Sequence, residues 1–347
     1  MVDTYKALVL TDAKTTRVEQ RKPRSLDSKE VRVQLGSAGI CGTDLHYYQD
    51  FANAGFLLQN PLVLGHEASG TIVELGSGVN DLKVGEKVAI TPVMNCGECD
   101  NCRSGNSNTC TNKRFPGSAT TIPHIDGFFR EYFEVEARCC RKLPQNAELD
   151  KIAFVEPAAC ALHGVERAGD LIGRRVLVTG AGPIGTLAAA MAKVSGAAEV
   201  VVSDLTDESL AIASQMGADK VINIRHTSVE DFITESGEFD VAIEASGATS
   251  AYVSCLTGVK KQGTVVQLSV LAEKEPKLPA NLIMLKELTL KGAFQFNGEF
   301  DRALALISSG RIDLTPMLSG QFKFEEASKA FEIAKDRSKS MKVQFVV

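Results

Sequence analysis

Several features that mark other protein classes are missing from this sequence. It has no tryptophan, no low-complexity tract and no internal repeat. No run approaches the roughly 18 consecutive apolar residues of a membrane helix, and no block of lysine and arginine marks a nucleic-acid or anionic-membrane surface. The first residues, MVDTYKALVLTDAK, lack the basic-then-apolar pattern of a signal peptide. We therefore expect a soluble cytoplasmic protein with no nucleic-acid or membrane partner.

Length and composition are those of an ordinary globular protein. The 347 residues suggest two domains of about 150 residues each. An apolar fraction of 44% and a charged fraction of 23% allow a normal core, and the net charge of −5 is mild. The nine cysteines are an odd number, and disulfides are rare in a reducing compartment. The cysteines therefore need an explanation other than cross-linking.

Four of the cysteines lie together in a stretch with no apolar period, CGECDNCRSGNSNTC. Cys96, Cys99, Cys102 and Cys110 follow the spacing C-x2-C-x2-C-x7-C, whose short spacers let the thiolates turn onto one centre. Tetrahedral zinc accepts four thiolates and closes its coordination sphere, so it ties a loop without doing chemistry. An iron–sulfur cluster also uses four cysteines, but no electron-transfer setting accompanies this one, and four unrelated thiols are improbable at this density. The spacing favours structural zinc.

The hydrophobic pattern divides the chain into two halves. Up to about residue 155 the apolar runs are short, alternating and cut by Gly and Pro, which is typical of β-strands. From about residue 171, six short apolar runs, most of them separated by helical stretches, begin with RRVLVTG and end with LTLKGAF. Apolar strands that alternate with helices imply a parallel sheet covered on both faces. The sequence therefore predicts an α/β protein with a Rossmann-type, doubly wound sheet of six strands.

A glycine-rich turn follows the first of these six strands. In GAGPIG, Gly180 allows the tight turn, Gly182 lets the backbone approach a pyrophosphate, and Gly185 lets the next helix pack on the strand. The N-terminus of that helix would face the phosphate. Asp204 ends the next strand, 19 residues after Gly185, where an acid binds the ribose hydroxyls of NAD. Because a carboxylate repels a 2′-phosphate and the following LTDES offers no arginine, we expect NAD.

Three further motifs contain the ligands that catalytic zinc takes. They are Cys41 in CGTDLH, His66–Glu67 in GHE and Glu156 in VEP. Each alone is weak evidence, since a single cysteine is usually a small buried hydrophobe and a single glutamate is usually solvated. Together they supply one thiolate, one imidazole and one or two carboxylates, with a position left for water or substrate. This set predicts a second, catalytic metal site.

On these motifs the chain resembles the zinc-dependent medium-chain dehydrogenases over essentially its whole length. The matching stretches are CGTDLH, GHE, the four-cysteine cluster, Glu156–Pro157 and GAGPIG. Glu156 stands where simple alcohol dehydrogenases have cysteine, which matches the polyol branch of sorbitol, xylitol and L-idonate 5-dehydrogenases. CGTDLHYY and RFPGS…PHIDG look most like the bacterial L-idonate members of that branch.

The resemblance implies a domain organisation. A GroES-like, β-rich catalytic domain would occupy residues 1–155 and carry the structural-zinc lobe at about 94–112. The Rossmann domain would be inserted at residues 156–296, and residues 297–347 would return to the catalytic domain. The family also forms homo-oligomers, so a tetramer is expected in preference to a dimer.

The resemblance assigns roles to the candidate zinc ligands. Cys41, His66 and Glu156 would hold the catalytic zinc. Glu67 would bind it directly, through water, or only in an alternative coordination state. The four-cysteine cluster would hold the second zinc of each chain.

Neighbouring residues would handle the proton and the substrate. Thr43 and His46 match the positions of a proton relay through the cofactor ribose, since a hydroxyl both donates and accepts and an imidazole titrates near physiological pH. Tyr47, Gln295 and Phe296 would contact the substrate. The polyol branch usually has arginine at the position of Gln295, so the fixed charge of a guanidinium is absent there.

The cofactor contacts implied by the resemblance lie in the glycine-rich turn and after the later strands of the Rossmann sheet. They are Gly180, Gly182, Pro183, Ile184, Gly185, Asp204, Leu268, Ser269, Val270, Ala293, Phe294 and Gln295.

The implied activity is the reversible oxidation of a secondary hydroxyl on a polyol or sugar acid by NAD. A simple alcohol or butanediol dehydrogenase of the same family is one alternative, and a non-catalytic NAD-binding relative is another. A sugar acid would need a cation for its carboxylate, and Lys113, Arg114 and Arg130 are candidates that are equally well explained as surface charges. His124 is a weaker candidate for the substrate cleft.

Overall fold

The computed structural model describes residues 3–347 and divides the chain into two compact units. The first unit contains the residues up to Glu156 together with Leu318–Asp336 and Lys342–Val347. The second contains Pro157–Met317 and Arg337–Met341. No helix within residues 3–347 has both the length and the apolar character that crossing a membrane requires.

Strands dominate the first unit and alternate with helices in the second. The strands are β1 (Tyr5–Asp12), β2 (Thr15–Arg21), β3 (Glu30–Gly39), β4 (Ala52–Asn53), β5 (Phe56–Leu57), β6 (Leu62–Val63), β7 (Glu67–Leu75), β8 (Lys87–Ile90), β9 (Tyr132–Glu136), β10 (Cys140–Lys142), β11 (Arg175–Thr179), β12 (Glu199–Asp204), β13 (Lys220–Asn223), β14 (Phe239–Glu244), β15 (Val259–Gln267), β16 (Thr289–Gly292), β17 (Leu318–Phe322) and β18 (Lys342–Val346). The helices are α1 (Gly42–Asp50), α2 (Asp100–Arg103), α3 (Leu149–Ile152), α4 (Val155–Ala168), α5 (Pro183–Val194), α6 (Asp207–Gln215), α7 (Val229–Ser236), α8 (Thr249–Gly258), α9 (Asn281–Leu285), α10 (Glu299–Ser308) and α11 (Ala327–Lys335).

The first unit is built around one large sheet. Its strand order is β10-β8-β7-β3-β18-β17, and β9 also pairs with β3. Val31, Val33 and Leu35 of β3 are buried in the core, because alternate side chains of a strand point to the same face. A smaller sheet has the order β2-β1-β6. The β-rich character predicted for this half is confirmed.

The last strand of the chain completes the large sheet. β18 pairs antiparallel with β3 and parallel with β17. Its Phe345 is fully buried and packs edge-on against Phe129 and Phe331, with ring centroids 4.9 and 6.0 Å apart. Full burial of a phenylalanine contributes about 1.5–3 kcal/mol. The end of the chain therefore belongs to the core of the unit that contains its first strands.

The second unit contains the predicted Rossmann sheet. Its six strands have the order β13-β12-β11-β14-β15-β16, and every pairing is parallel. Residues 176–178 and 200–202 have no exposed surface, as expected of strands covered on both faces. The strand order reverses beside β11, and sheets of this kind bind ligands at the carboxyl ends of the strands where it does so.

The return to the first unit begins later than the sequence predicts. The resemblance places it at residue 297, whereas residues 297–317 belong to the second unit. The reason is that a hydrogen bond and an ion pair connect α10 to α4. Glu299 accepts a hydrogen bond from His163 at 3.0 Å, and Arg302 forms an ion pair with Glu166.

Glu299→Gln tests the contact between Glu299 and His163. Burial would raise the pKa of Glu299, but hydrogen bonds from His163 and the Asn297 backbone hold it at about 2, below the ordinary value of 4.5. The ionised form therefore stabilises the folded state fully above about pH 4.5, and that contribution is lost as the pH falls toward about 2. In urea unfolding at pH 7 the variant should be less stable than the wild type, and the difference should shrink below about pH 4.5.

Glu208→Gln is the matched control, because Glu208 is an exposed glutamate in the first turn of α6. It reproduces the loss of charge near a helix N-terminus without the histidine contact. A Glu299→Gln effect that equals the control, or that does not change with pH, would contradict this account of the contact.

Candidate metal and cofactor sites

One buried carboxylate assembles the first group of candidate ligands. Cys41 precedes α1, and His66 and Glu67 lie at the start of β7. Asp44, in the first turn of α1 and fully buried, accepts hydrogen bonds from the Cys41 N–H at 2.8 Å and the Gly65 N–H at 3.1 Å. Its two oxygens therefore hold together the two backbone segments that carry the ligands.

The ligand atoms of Cys41, His66 and Glu67 all lie within 4.8 Å of one another. His66 is buried, and its Nδ1 has no hydrogen-bond partner among the described residues but lies 3.8 Å from Asp44 Oδ1. This orientation leaves the other ring nitrogen for a metal. A thiol, an imidazole with a carboxylate behind it and a second carboxylate fit the donor set of catalytic zinc.

The charge in this pocket also favours a cation. Burial would lower the pKa of His66, but the negative charges of Asp44, Cys41 and Glu156 outweigh burial and raise that pKa well above its usual value. Burial raises the pKa of Asp44. The His66 shift reflects the negative groups around it, and the Asp44 shift reflects burial away from water. A divalent cation would be strongly attracted to such a place.

The two candidate glutamates have different surroundings. Both carboxylate oxygens of Glu67 accept hydrogen bonds from Lys342 Nζ at 2.8 Å, and both side chains are buried. This ion pair competes with direct coordination of a metal by Glu67. Glu156, at the start of α4, is also buried and acts on His66, but within residues 3–347 the compact ligand group does not include it. Its coordination of zinc stays a prediction.

The candidate relay and substrate residues lie on α1. Thr43 is half-buried and His46 exposed, three positions apart on one side of the helix. Tyr47 is fully buried, and its hydroxyl accepts a hydrogen bond from the Ala119 N–H at 3.0 Å and lies 3.3 Å from Ser118 Oγ. The structure thus gives Tyr47 a contact that fixes α1, and its predicted substrate role is not tested by this geometry.

The four-cysteine cluster is compact. The sulfur of Cys96 lies 3.5 Å from that of Cys110 and 4.0 Å from that of Cys102, and the sulfurs of Cys99 and Cys110 are 3.9 Å apart. Four sulfurs at about 2.3 Å from one zinc would be about 3.8 Å apart. The cluster therefore has the dimensions of a closed tetrahedral site.

Protonation within the cluster is uneven. Hydrogen bonds from the backbone of Cys102 and Thr111 lower the pKa of Cys99 to about 6. Burial and the neighbouring Cys99 thiol raise the pKa of Cys102 to about 12. A thiolate at one position thus discourages ionisation at the next, and a divalent cation would remove this repulsion because it requires deprotonated thiols.

The glycine-rich turn has the geometry that its spacing predicts. Gly180 has a φ of +95°, and a Cβ there would lie 2.8 Å from Ser246. A Cβ on Gly185 would lie 1.9 Å from the Gly180 oxygen, which explains the close packing of α5 on β11. A Cβ on Gly182, the residue before α5, meets no atom of the described residues within 4 Å. The space at Gly182 fits a phosphate at the helix N-terminus.

Asp204 is tied to the same turn. At the end of β12, its Oδ2 accepts a hydrogen bond from the Ala181 N–H at 2.6 Å, and its Oδ1 accepts from Leu205 and Thr206 at 2.7 and 3.0 Å. Oδ2 accepts one hydrogen bond and therefore keeps acceptor capacity for a further donor such as a ribose hydroxyl.

The other predicted cofactor residues follow β15 and β16. Val270 and Phe294 are mostly exposed, whereas Phe296 is buried and packs on Phe300. Gln295 adopts a left-handed backbone conformation with φ of 52°, which is uncommon outside glycine and is often found at functional sites. The burial of Phe296 leaves its side chain with a packing role in this structure.

The residues proposed to bind a substrate carboxylate separate into two groups. Lys113 donates a hydrogen bond to the Asn108 carbonyl at 3.0 Å. Arg114 and Arg130 line one cavity of about 670 Å³, whose lining does not include the zinc-ligand candidates. His124 also lines it, but both ring nitrogens are engaged, with the Thr121 carbonyl at 2.9 Å and the Gln59 N–H at 3.0 Å.

Three important residues carry no signal of their own in the sequence. Asp44 lies inside the CGTDLH motif without a ligand role, Lys342 lies in the apolar strand MKVQFVV, and Glu244 ends the strand FDVAIE. A charged residue inside an otherwise apolar strand is the one feature that marks the last two, since such a residue must find a buried partner.

Comparison with known proteins places these sites in a family. The family described as "Alcohol dehydrogenase GroES-like domain" matches residues 27–145, and the one described as "Zinc-binding dehydrogenase" matches residues 183–309. L-idonate 5-dehydrogenase (NAD(P)(+)) of Escherichia coli (strain K12) is 38% identical over 90% of this chain and 91% of its own length. Sorbitol dehydrogenase of Bombyx mori is 32% identical over 96% of each chain.

A solved structure agrees with these matches. The crystal structure of L-idonate 5-dehydrogenase from Escherichia coli has a TM-score of 0.94 at 36% identity, covering 99% of this chain and 98% of that one. Identity at this level along nearly the whole chain shows common descent. The chain belongs to the zinc-dependent medium-chain dehydrogenase family, which contains the alcohol and polyol dehydrogenases.

Proposed function

We propose that this dehydrogenase reversibly oxidises a secondary hydroxyl of a five- or six-carbon polyol or sugar acid to the ketone, with NAD as the hydride acceptor. The observation that carries the proposal is the buried group of Cys41, His66 and Glu67, whose thiol, imidazole and carboxylate lie within 4.8 Å of one another. The relatives named for L-idonate and for sorbitol support a polyol or sugar-acid substrate.

Two zinc ions per chain fit the two ligand groups. Cys41, His66 and Glu156 would hold the catalytic zinc. Glu67 is paired with Lys342 and would bind the zinc only in an alternative coordination state. When bound, zinc supplies Lewis acidity toward an alcohol oxygen and NAD supplies the hydride acceptor. The four cysteines would hold the structural zinc.

Residues of α1 would carry the proton of the alcohol to water. The Thr43 hydroxyl can accept one proton while it donates another. His46 is exposed, so its imidazole can exchange protons directly with solvent.

The second unit would bind the dinucleotide. The pyrophosphate would lie over Gly182 at the N-terminus of α5, and Asp204 would accept the ribose hydroxyls. Although the Escherichia coli relative is named for both NAD and NADP, a carboxylate at this position repels a 2′-phosphate. We therefore propose a preference for NAD.

The substrate pocket lacks one charge that the polyol branch usually has. Gln295 retains a donor and an acceptor for hydroxyl groups but provides no cation for a carboxylate. Uncharged polyols would therefore be favoured, since Arg114 and Arg130 line a cavity that does not include the zinc-ligand candidates.

We also propose that the protein is a cytoplasmic homo-oligomer, with a tetramer favoured over a dimer. Among the described residues β16 pairs with β15 alone, so it is an edge strand. Leu290 on β16 is 37% exposed, and Met284 and Leu285 of α9 are more than 60% exposed. An apolar sheet edge of this kind favours pairing with another chain, and sedimentation velocity would distinguish dimer from tetramer.

A substrate screen tests the function. NADH formation should be measured with L-idonate, sorbitol, xylitol, galactitol, butanediol and ethanol, each with NAD and with NADP. The highest kcat/KM should belong to a five- or six-carbon polyol or hexonate, and NAD should exceed NADP because of the Asp204 carboxylate.

Each outcome of the screen bears on a separate part of the proposal. Fastest turnover of ethanol or another short monoalcohol would refute the polyol assignment. An NADP value equal to or above the NAD value would refute the role of Asp204. A preference for uncharged polyols over L-idonate would agree with the absence of a cation at position 295.

Cys99→Ser tests the structural zinc. The variant should contain about one zinc per chain instead of two, because a closed tetrahedral site does not tolerate the loss of a thiolate. Its thermal unfolding should begin at a lower temperature, since the 94–112 lobe depends on the metal for its order. Metal analysis and calorimetry measure the two effects.

Cys160→Ser serves as the control, since Cys160 is a partly buried cysteine outside both ligand groups. It should retain both zinc ions. Full zinc content and unchanged stability in Cys99→Ser would show that the cluster is not a zinc site.

A further inference from the structure

A further buried carboxylate lies in the Rossmann unit, outside every predicted site. Glu244 is the last residue of β14 and has no exposed surface. Its Oε1 accepts hydrogen bonds from the Ser246 N–H at 2.8 Å, the Ser246 hydroxyl at 2.7 Å and the Gly247 N–H at 2.9 Å. Its Oε2 accepts a hydrogen bond from the Ser269 hydroxyl.

These contacts connect two loops that are far apart in the sequence. Ser246 and Gly247 follow β14, whereas Ser269 follows β15. The loops also touch directly, because the Ala272 N–H donates to the Gly247 carbonyl at 2.9 Å and a Cβ on Gly247 would lie 2.9 Å from the Val270 oxygen. The Glu244 side chain thus binds both loops.

The same arrangement reaches the glycine-rich turn. A Cβ on Gly180 would lie 2.8 Å from the backbone of Ser246, so the turn after β11 rests against the turn that Glu244 holds. Two carboxylates therefore flank the glycine-rich turn. Asp204, from β12 on one side, binds the Ala181 N–H, and Glu244, from β14 on the other side, fixes Ser246.

The strand order relates these two flanks to the two halves of a dinucleotide. In a sheet of this type each half of the cofactor lies on one side of the strand beside which the order reverses, here β11. Asp204 lies on the side of the adenosine ribose. The loops that Glu244 fixes lie on the opposite side, which receives the nicotinamide half.

We infer that Glu244 is a positioning residue of the cofactor site, which holds the Ser246–Gly247 turn and the Ser269 loop in the arrangement that receives the nicotinamide half. The inference rests on the proposed function, since it presumes that the sheet binds NAD. Glu244 would touch no atom of the cofactor. Its effect would come from the four hydrogen bonds, which add to the backbone contact between the two loops.

Binding of two ligands distinguishes positioning from general loss of structure. NADH and ADP-ribose, which lacks the nicotinamide, should be titrated into the zinc-loaded full-length protein by calorimetry. Glu244→Ala should weaken the binding of NADH about tenfold or more, while the affinity for ADP-ribose should change by no more than about twofold. Glu244→Gln should lie much closer to the wild type, because its amide oxygen can still accept from Ser246 and Gly247 and its NH2 can donate to Ser269.

Two further variants make the test independent of folding. Ser246→Ala removes only one hydroxyl bound to Glu244, at a residue outside the predicted cofactor contacts, and it should weaken NADH binding selectively even if Glu244→Ala does not fold. Ser228→Ala removes the side chain that caps α7 by accepting the Asp231 N–H, so it lowers stability in the same unit without touching these loops. This variant should change the affinity for neither NADH nor ADP-ribose.

The outcomes separate this inference from the function on which it rests. Wild-type protein that does not bind NADH would overturn both. An NADH affinity that is unchanged in Glu244→Ala and Ser246→Ala, or a loss of affinity that is equal for NADH and ADP-ribose, would overturn the inference alone.

Discussion

The candidate metal site depends on the Asp44 carboxylate. A buried carboxylate without partners would be costly, and this one is stabilised by the backbone N–H groups of Cys41 and Gly65. Those bonds bring the start of α1 against the start of β7, so a thiol and an imidazole from two distant motifs come within reach of one ion. The negative charge that remains is what a divalent cation would neutralise.

Another buried charge is neutralised by the strand with which the chain returns to its first unit. Glu67 is paired with Lys342, which reaches it because β18 inserts beside β3 in the large sheet. The strand that closes the core with Phe345 thus also supplies the counter-charge for a candidate ligand. Stability of the sheet and chemistry of the site are coupled through one strand near the C-terminus.

The same principle operates in the Rossmann unit. Asp204 and Glu244 are both carboxylates at the ends of strands, and both accept hydrogen bonds from backbone N–H groups of the loops that follow. Loops at the carboxyl ends of parallel strands have no sheet partners of their own. A carboxylate below them provides the acceptors that keep such loops in one arrangement.

Local patterns are sufficient to predict much of the fold and the clustering of the four cysteines. The six Rossmann strands, the glycine-rich turn and the four-cysteine cluster are each encoded within a few consecutive residues, because strand burial, turn geometry and metal spacing are local requirements. Features that depend on distant pairing were missed. Lys342 meets Glu67 only through the register of β18 with β3, and nothing in the sequence near either residue specifies that register.

Orientation and boundaries were also beyond local patterns. The resemblance assigns Tyr47 to the substrate, but only the packed structure shows that its hydroxyl is enclosed by Ser118 and Ala119. The amphipathic pattern of α10 indicates a buried face without indicating which unit covers it. The contact between Glu299 and His163 decides that, and it joins residues on two separate helices.

The most direct test of this account is the zinc affinity of Asp44→Asn. The substitution keeps the size of the side chain and one acceptor but removes the charge behind His66. Zinc per chain should be measured after dialysis against increasing chelator, with Asp50→Asn, an exposed residue at the end of α1, as the control. We predict that Asp44→Asn loses one of its two zinc ions at a chelator activity about 10- to 100-fold below that required for the wild type. Retention of both ions with wild-type affinity would contradict the claim that this carboxylate organises the metal site.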